Sequence, residues 1–166
     1  MYKGPEISNK ECSEISKAMS IDVMNKKAWN GLRPAIKENG QYVDTSLSFD
    51  DKRYSDVIKE LKGHVLITGL GFGCAVLGAL KKKSVKSVTV VEIRKEVIDL
   101  FYSLHSVTDT GLTVVNMDAK DYKETGYDHV FIDHFHTPLD YDWYLGEMED
   151  FKQRYKDSNI HYIKLK

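Results

Sequence analysis

Between His64 and Leu80 the chain reads HVLITGLGFGCAVLGAL, and this stretch constrains the fold more than any other. Its length is near the lower limit for a membrane span. Yet it carries four glycines in ten residues, at 69, 71, 73 and 78. A lipid-spanning helix has no use for that cluster. A buried strand that turns sharply into a helix does, because glycine supplies positive φ and lets the backbone pass close to its neighbours. The expected unit is a strand over His64–Thr68, a glycine turn, and a helix over Cys74–Lys82.

The pattern then repeats. Ser87–Ile93 reads as a second strand, Lys95–Ser106 as a helix, Leu112–Asn116 as a third strand and His129–Asp133 as a fourth. Tyr141–Lys156 reads as a long helix and Ile160–Leu165 as a final strand. The third and fourth strands are joined by the polar stretch DAKDYKETGYD rather than a full helix. Near-continuous β-branched strands alternating with helices imply a parallel sheet covered on both faces. With right-handed crossovers this is a Rossmann-like, doubly wound α/β fold.

Upstream, residues 1–10 are expected to be frayed and residues 12–28 helical, with Asn30-Gly31 as a stop signal. LRPAIKENGQYVDTSLSF (32–49) reads as a β-hairpin turning at Asn39-Gly40, a pair that tolerates the positive φ of a type I′ turn. Asp50-Asp51 is expected to cap a short helix, KRYSDVIKELK. With 166 residues, the chain fits one domain: a helix and hairpin extension over 1–50 and a nucleotide-binding core over 51–166.

The loop Gly69-Leu70-Gly71-Phe72-Gly73 follows a strand and opens a helix, as a nucleotide-binding loop must. Glu92 closes the next strand, 19 residues after Gly73, where a carboxylate can accept both hydroxyls of a ribose; a solvated strand-end acid is the plainer alternative. The dinucleotide fingerprint GxGxxG would put its third glycine at position 74, which is Cys74. Here it falls one residue earlier, at Gly73. That spacing resembles the class I methyltransferase pattern, which binds S-adenosylmethionine.

Four stretches extend the resemblance to the spermidine synthase-like branch of that fold. VLITGLGFG resembles the first motif, and SVTVVEIRKEVIDLF the second strand and helix, with Glu92 at the ribose position and Ile93 beside it among the cofactor-binding residues. VVNMDAKDY resembles the adenine motif, which implies that Asp118 holds the exocyclic amine and Ala119 the ring. YDHVFIDHF resembles the fourth strand, which ends in a catalytic aspartate in the synthases; that maps to Asp133. DDKRYSDVI resembles the segment DE-x-x-Y-H/Q-E and puts Tyr54 and Asp56 at ligand-facing positions. The resemblance covers roughly residues 40–138 of the chain.

Two departures bear on the reaction. Phe72 stands where the synthases carry an aspartate that anchors the aminopropyl amine, and His136 where they place a second acid for the diamine. Both weigh against a diamine substrate, since an ammonium buried without a partner is costly. A complete class I methyltransferase also adds two strands after the fifth, as an antiparallel hairpin. This chain is expected to lack them, leaving a sheet edge to be covered by the N-terminal hairpin or a second subunit.

Asp133, His134 and His136 cluster beyond a strand's carboxyl end, where doubly wound folds place their sites, and are the candidate catalytic groups. Methyl transfer from a sulfonium needs positioning, plus a base if the nucleophile carries a proton. The plainer alternatives are a turn-capping aspartate and surface histidines. His134, His136 and Asp140 are too sparse a pattern for a metal site, and none is assigned. The motif D/N-P-P-Y/F of amino methylation is absent.

A formal net charge of −1 gives no bulk attraction to nucleic acid or membrane. Lys81, Lys82, Lys83 and Lys86 are expected to form a solvated, dipole-favoured helix end. Two distant cysteines and no leader-like N-terminus fit a cytoplasmic protein. The aromatic surplus of 141–156 (Trp143, Tyr144, Phe151, Tyr155) points to a homo-oligomer contact through that helix or the sheet edge. The leading expectation is an S-adenosylmethionine-dependent methyltransferase acting on a small-molecule acceptor. The alternatives are aminopropyl transfer and a non-catalytic, ligand-sequestering protein.

Overall fold

A computed structural model of the chain describes residues 6–19, 22–28, 31–38, 41–45, 52–108, 111–134 and 141–162. The first element, α1 (Asn9–Met19), starts earlier than its apolar pattern suggests. Ser8 and Glu11 form a capping box: the Glu11 N–H bonds the Ser8 hydroxyl at 3.2 Å and the Glu11 carboxylate accepts the Ser8 N–H at 2.8 Å. Two orphan donors are satisfied reciprocally, so residues 6–10 are not frayed. Residues 1–5 lie outside the described residues.

The helix expected over 12–28 is corrected by the structure. It ends at Met19, and Asp22–Ala28 is instead a strand, β1. It pairs antiparallel with β2 (Gly31–Glu38), from Asp22 opposite Lys37 to Ala28 opposite Gly31. The Ser16 hydroxyl accepts the Val23 N–H at 2.9 Å, so the helix side chain takes up a strand donor. Val23 is buried in the core. Ladder pairing and that burial outweigh the modest helix propensity of DVMNKKA.

The hairpin is present. β2 pairs antiparallel with β3 (Gln41–Thr45), completing a three-stranded sheet in the order β1-β2-β3. The expected turn at Asn39-Gly40 and the caps at Asp50-Asp51 lie outside the described residues.

The chain then runs through α2 (Lys52–Glu60), β4 (Gly63–Thr68), α3 (Cys74–Leu80), β5 (Val85–Glu92), α4 (Lys95–Leu104), β6 (Leu112–Asn116), β7 (His129–Ile132), α5 (Tyr141–Arg154) and β8 (Asn159–Tyr162). The strands form one five-stranded sheet, ordered β6-β5-β4-β7-β8, and every pair is parallel. This is the doubly wound α/β order, reversing direction at β4. Residues 163–166, expected to continue β8, lie outside the described residues.

Side-chain alternation divides the core between the two faces. Val65, Ile67, Val88, Val90 and Phe131 point to the face packed by α3 and α4, with α2 and α1 against it. Leu66, Val91, Val130 and Ile132 point to the other, where α5 contributes Met148 and Phe151 and is followed directly by Tyr155. Phe151 and Tyr155 are therefore core residues. The side chains of Trp143 and Tyr144 lie outside the described set.

The connection from β6 to β7 carries no helix. Arg154 anchors it, bonding the carbonyls of Ala119 (3.2 Å) and Tyr122 (2.9 Å) while its guanidinium lies over the Phe151 ring. In the lysine run, Lys81 and Lys83 are exposed, whereas Lys82 reaches across to the end of α2. It bonds the carbonyls of Ile58, at 2.7 Å, and Lys59. Lys82 thus serves the dipole of a neighbouring helix rather than its own. No described helix is long and apolar enough to cross a membrane.

Candidate functional site

The carboxyl ends of β4 and β5 lie side by side at the switch point, and the glycine loop crosses them. Gly69, Gly71 and Gly73 all have positive φ, at 89°, 49° and 82°. Close approach matters as much as the dihedrals. A Cβ on Gly69 would lie 2.8 Å from the Asp133 carbonyl oxygen, so the loop runs directly against the end of β7. Phe72 is 2% exposed and belongs to the core; packing accounts for the phenyl at that position.

Glu92, the last residue of β5, is 8% exposed. One carboxylate oxygen accepts the Leu70 N–H at 2.9 Å and the other the Arg94 N–H at 2.8 Å. The acid therefore ties the glycine loop to the start of α4. Each oxygen retains a second lone-pair direction for another donor. Asn116 bonds the carbonyls of Glu92 and Ile93, both at 2.9 Å, and fixes the turn that follows.

Ile93 is 61% exposed, a large apolar side chain held at a cavity rim. Asp118 and Ala119 approach from the end of β6, with Asp118 accepting the Lys120 N–H at 2.9 Å. Together with the glycine loop these residues line a cavity of about 220 Å³.

The far side of this cavity gathers residues remote in sequence. The Tyr54 hydroxyl, on α2, donates to the Asp133 carboxylate at 2.5 Å, and its ring packs edge-on against Phe131. His134 bridges two groups: Nδ1 is 2.6 Å from the Thr68 hydroxyl and Nε2 is 2.7 Å from a carboxylate oxygen of Glu147 on α5. Glu147 is only 7% exposed, and its second oxygen lies 3.4 Å from the Lys120 ammonium. Ile36 of β2, also buried, adds an apolar wall from the N-terminal sheet.

The chain Glu147–His134–Thr68 has the composition of a carboxylate–imidazole–hydroxyl relay. Its hydroxyl disqualifies it as a nucleophile: Thr68 is 1% exposed and is not among the cavity's lining residues. Both His134 nitrogens are engaged by protein groups, and Asp133 lines the same cavity with its carboxylate accepting from Tyr54.

Of the residues singled out in the sequence, the structure brings together Tyr54, Gly69, Gly71, Glu92, Ile93, Asp118, Ala119, Asp133 and His134 around one cavity. Gly73 lies buried behind the loop, its backbone against the Phe101 ring. Asp56 is not brought in: it pairs with Lys52 and Lys59 on the exposed face of α2, and those ammonium groups hold its carboxyl below the usual range. His136 lies outside the described residues. Among the described residues no group of three or more His, Cys, Asp or Glu side chains is arranged to hold a metal.

Sequence reasoning missed Glu147, Lys120, Thr68, Asn116 and Ile36. Thr68 and Asn116 close strands that it had located, which was the available signal. Glu147 and Ile36 gave none.

No protein-family model matches the chain, and no curated protein matches it by sequence. Solved structures do. Spermidine synthase from Thermotoga maritima superposes with a TM-score of 0.56 at 18% identity, covering 83% of this chain and 50% of that one. A spermidine synthase in complex with the transition-state analogue AdoDATO gives 0.57 at 20%, covering 84% and 49%. The mitomycin 7-O-methyltransferase MmcR gives 0.57 at 17%, covering 73% and 38%. The chain thus spans half or less of the length of these proteins. Their shared architecture gives the conclusion that β4 to β8 and their helices imply: this chain has a class I methyltransferase-like fold, the fold of spermidine synthase.

Proposed function

We propose that the chain binds S-adenosylmethionine and transfers its methyl group to a small-molecule acceptor. The observation that carries this reading is Glu92, a buried carboxylate whose oxygens each carry one backbone donor and which lines the cavity between the glycine loop and Ile93. Its remaining lone pairs suit a pair of ribose hydroxyls. Exposed Ile93 offers an apolar face to an adenine, with Asp118 and Ala119 opposite.

S-adenosylmethionine would supply a methyl carbon on a sulfonium; an acceptor lone pair forms the new bond as the carbon–sulfur bond breaks and the sulfur keeps the electron pair. The chain's part is to orient both partners and receive the acceptor's proton. Asp133 is the group for that step, with the Tyr54 hydroxyl donating to and orienting its carboxylate.

A second reading, aminopropyl transfer to an amine, gains support from Glu147. The second acid missing from the sequence after Asp133 has a counterpart in space, a buried carboxylate brought to the cavity wall by α5. Calorimetry with S-adenosylmethionine, its decarboxylated form, S-adenosylhomocysteine and NAD separates the readings. Methyl transfer predicts tight binding of the first and third. A preference for the decarboxylated compound moves the assignment to aminopropyl transfer, and a preference for NAD overturns both.

A cytoplasmic setting and self-association, through the sheet edge or α5, belong to the same proposal. Sedimentation of the chain tests the latter.

A further inference from the structure

Helix α4 ends against the back of the glycine loop, and two side chains grip that loop, one from the helix and one from its C-cap residue. A Cβ on Gly73 would lie 2.3 Å from the Phe101 ring, so the ring fills the space a side chain would need. One helical turn later, His105 stacks obliquely on Phe101 with ring centroids 5.2 Å apart. Its Nε2 lies 3.1 Å from the Phe72 carbonyl oxygen. A carbonyl only accepts, so Nε2 carries the proton.

We propose that His105 is a positioning residue for the nucleotide loop: its Nε2–H, donated to the Phe72 carbonyl, holds Gly71–Gly73 in the ligand-binding shape without touching the ligand. His105 is 8% exposed and is not among the residues lining the cavity. The loop is thereby held from two sides, by Glu92 accepting its Leu70 N–H and by His105 donating to its Phe72 carbonyl. Neither grip comes from the loop's own turn, where the Gly73 N–H bonds back to Leu70. Burial also lowers the pKa of His105, which keeps the ring neutral near pH 7. A neutral ring has one N–H, and the Phe72 carbonyl selects which nitrogen bears it.

The consequence for affinity rests on the adenosyl reading above; the geometry does not. Nitrogen-15 NMR of the unmodified chain is expected to show His105 protonated at Nε2, and an Nδ1–H tautomer would overturn the proposal. His105→Leu keeps apolar bulk and removes the donor, while His105→Gln restores one. Calorimetry with S-adenosylhomocysteine should show binding weakened roughly tenfold in the first and within about threefold of the parent in the second, the scale of one hydrogen bond. A lower Tm for His105→Leu with unchanged affinity would reduce His105 to a packing residue.

If the parent chain binds no adenosyl compound, the proposed function fails, and His105 is judged by amide exchange in the free protein. Exchange at Gly71, Phe72 and Gly73 should rise about tenfold in His105→Leu and return in His105→Gln, again one hydrogen bond's worth. Unaltered exchange overturns the role. Should His105→Leu not fold, the ring tautomer and His105→Gln decide it.

Discussion

Glu92 accepts the backbone N–H of Leu70 at 2.9 Å, so the acid that suits a ribose also holds the glycine loop in place. Under the proposed function this one side chain would serve both ligand and loop, and its replacement is expected to damage both. In Glu92→Gln one terminal group becomes a donor facing a backbone N–H, which leaves a buried clash of donors. Stability should fall by about 1–3 kcal/mol, and adenosyl affinity should fall further in Glu92→Ala than in Glu92→Gln. Thermal unfolding and calorimetry on both variants check this. Unchanged affinity in Glu92→Ala would remove it from the site.

Asp133 and Tyr54 should separate binding from turnover. Asp133→Asn is expected to bind S-adenosylmethionine within a few-fold of the parent while losing about 10²-fold or more in rate, as for a lost general base. Tyr54→Phe removes a donor to that base and should shift the acid limb of the pH–rate profile upward. The measurement is steady-state rate against pH, once an acceptor is found by screening.

Glu147 contacts both His134 and Lys120 from a buried position. Truncating it removes the Nε2 partner of His134 from a buried position, so Glu147→Ala should destabilise by about 1–3 kcal/mol. Glu147→Gln, which still accepts from His134, should lose less. Urea unfolding of the two variants gives the comparison.

Positive φ alone and positive φ with crowding should differ in cost. Gly126 has φ 88° with nothing within 4 Å of an added Cβ, whereas Gly73 has φ 82° with the Phe101 ring at 2.3 Å. Gly126→Ala should cost about 1 kcal/mol. Gly73→Ala should cost roughly 3 kcal/mol or more, through strain plus overpacking. Paired Tm measurements test the ranking.

His129 and His161 stack with rings 11° apart and share one proton between Nδ1 and Nε2 at 2.8 Å. Burial is the main cause that lowers both pKa values below the ordinary 6.5, helped at His129 by the neighbouring His161, Lys62 and Lys82. The unfolded chain therefore binds protons first as pH falls. The pair's contribution is fully present above pH 6.5 and is lost as pH falls from there through the folded values. Urea midpoints between pH 7.5 and 5 should drop, and His161→Gln should flatten that slope. An equal slope in the variant would show the pair to be inert.

The sheet was legible from residues 63 to 132 because its signals are local. A parallel strand buried on both faces is a run of apolar residues, a sharp strand-to-helix turn calls for glycine, and Glu92 closes a strand whose end is visible in sequence. Asp133 could be located by the same means. The segment 22–28 was not: the propensity of DVMNKKA permits a helix, and only its ladder with β2 makes it a strand.

The one-dimensional chain thus determined where the cavity lined by the glycine loop lies. The tertiary structure decided what else faces it. Glu147 is 13 residues from His134 in sequence and sits on a different element, and Ile36 belongs to another sheet. His105 meets the Phe72 carbonyl across 33 positions. No local pattern encodes such pairings, because each forms only when α5, β2 and α4 dock on a sheet whose packing is settled by the whole core.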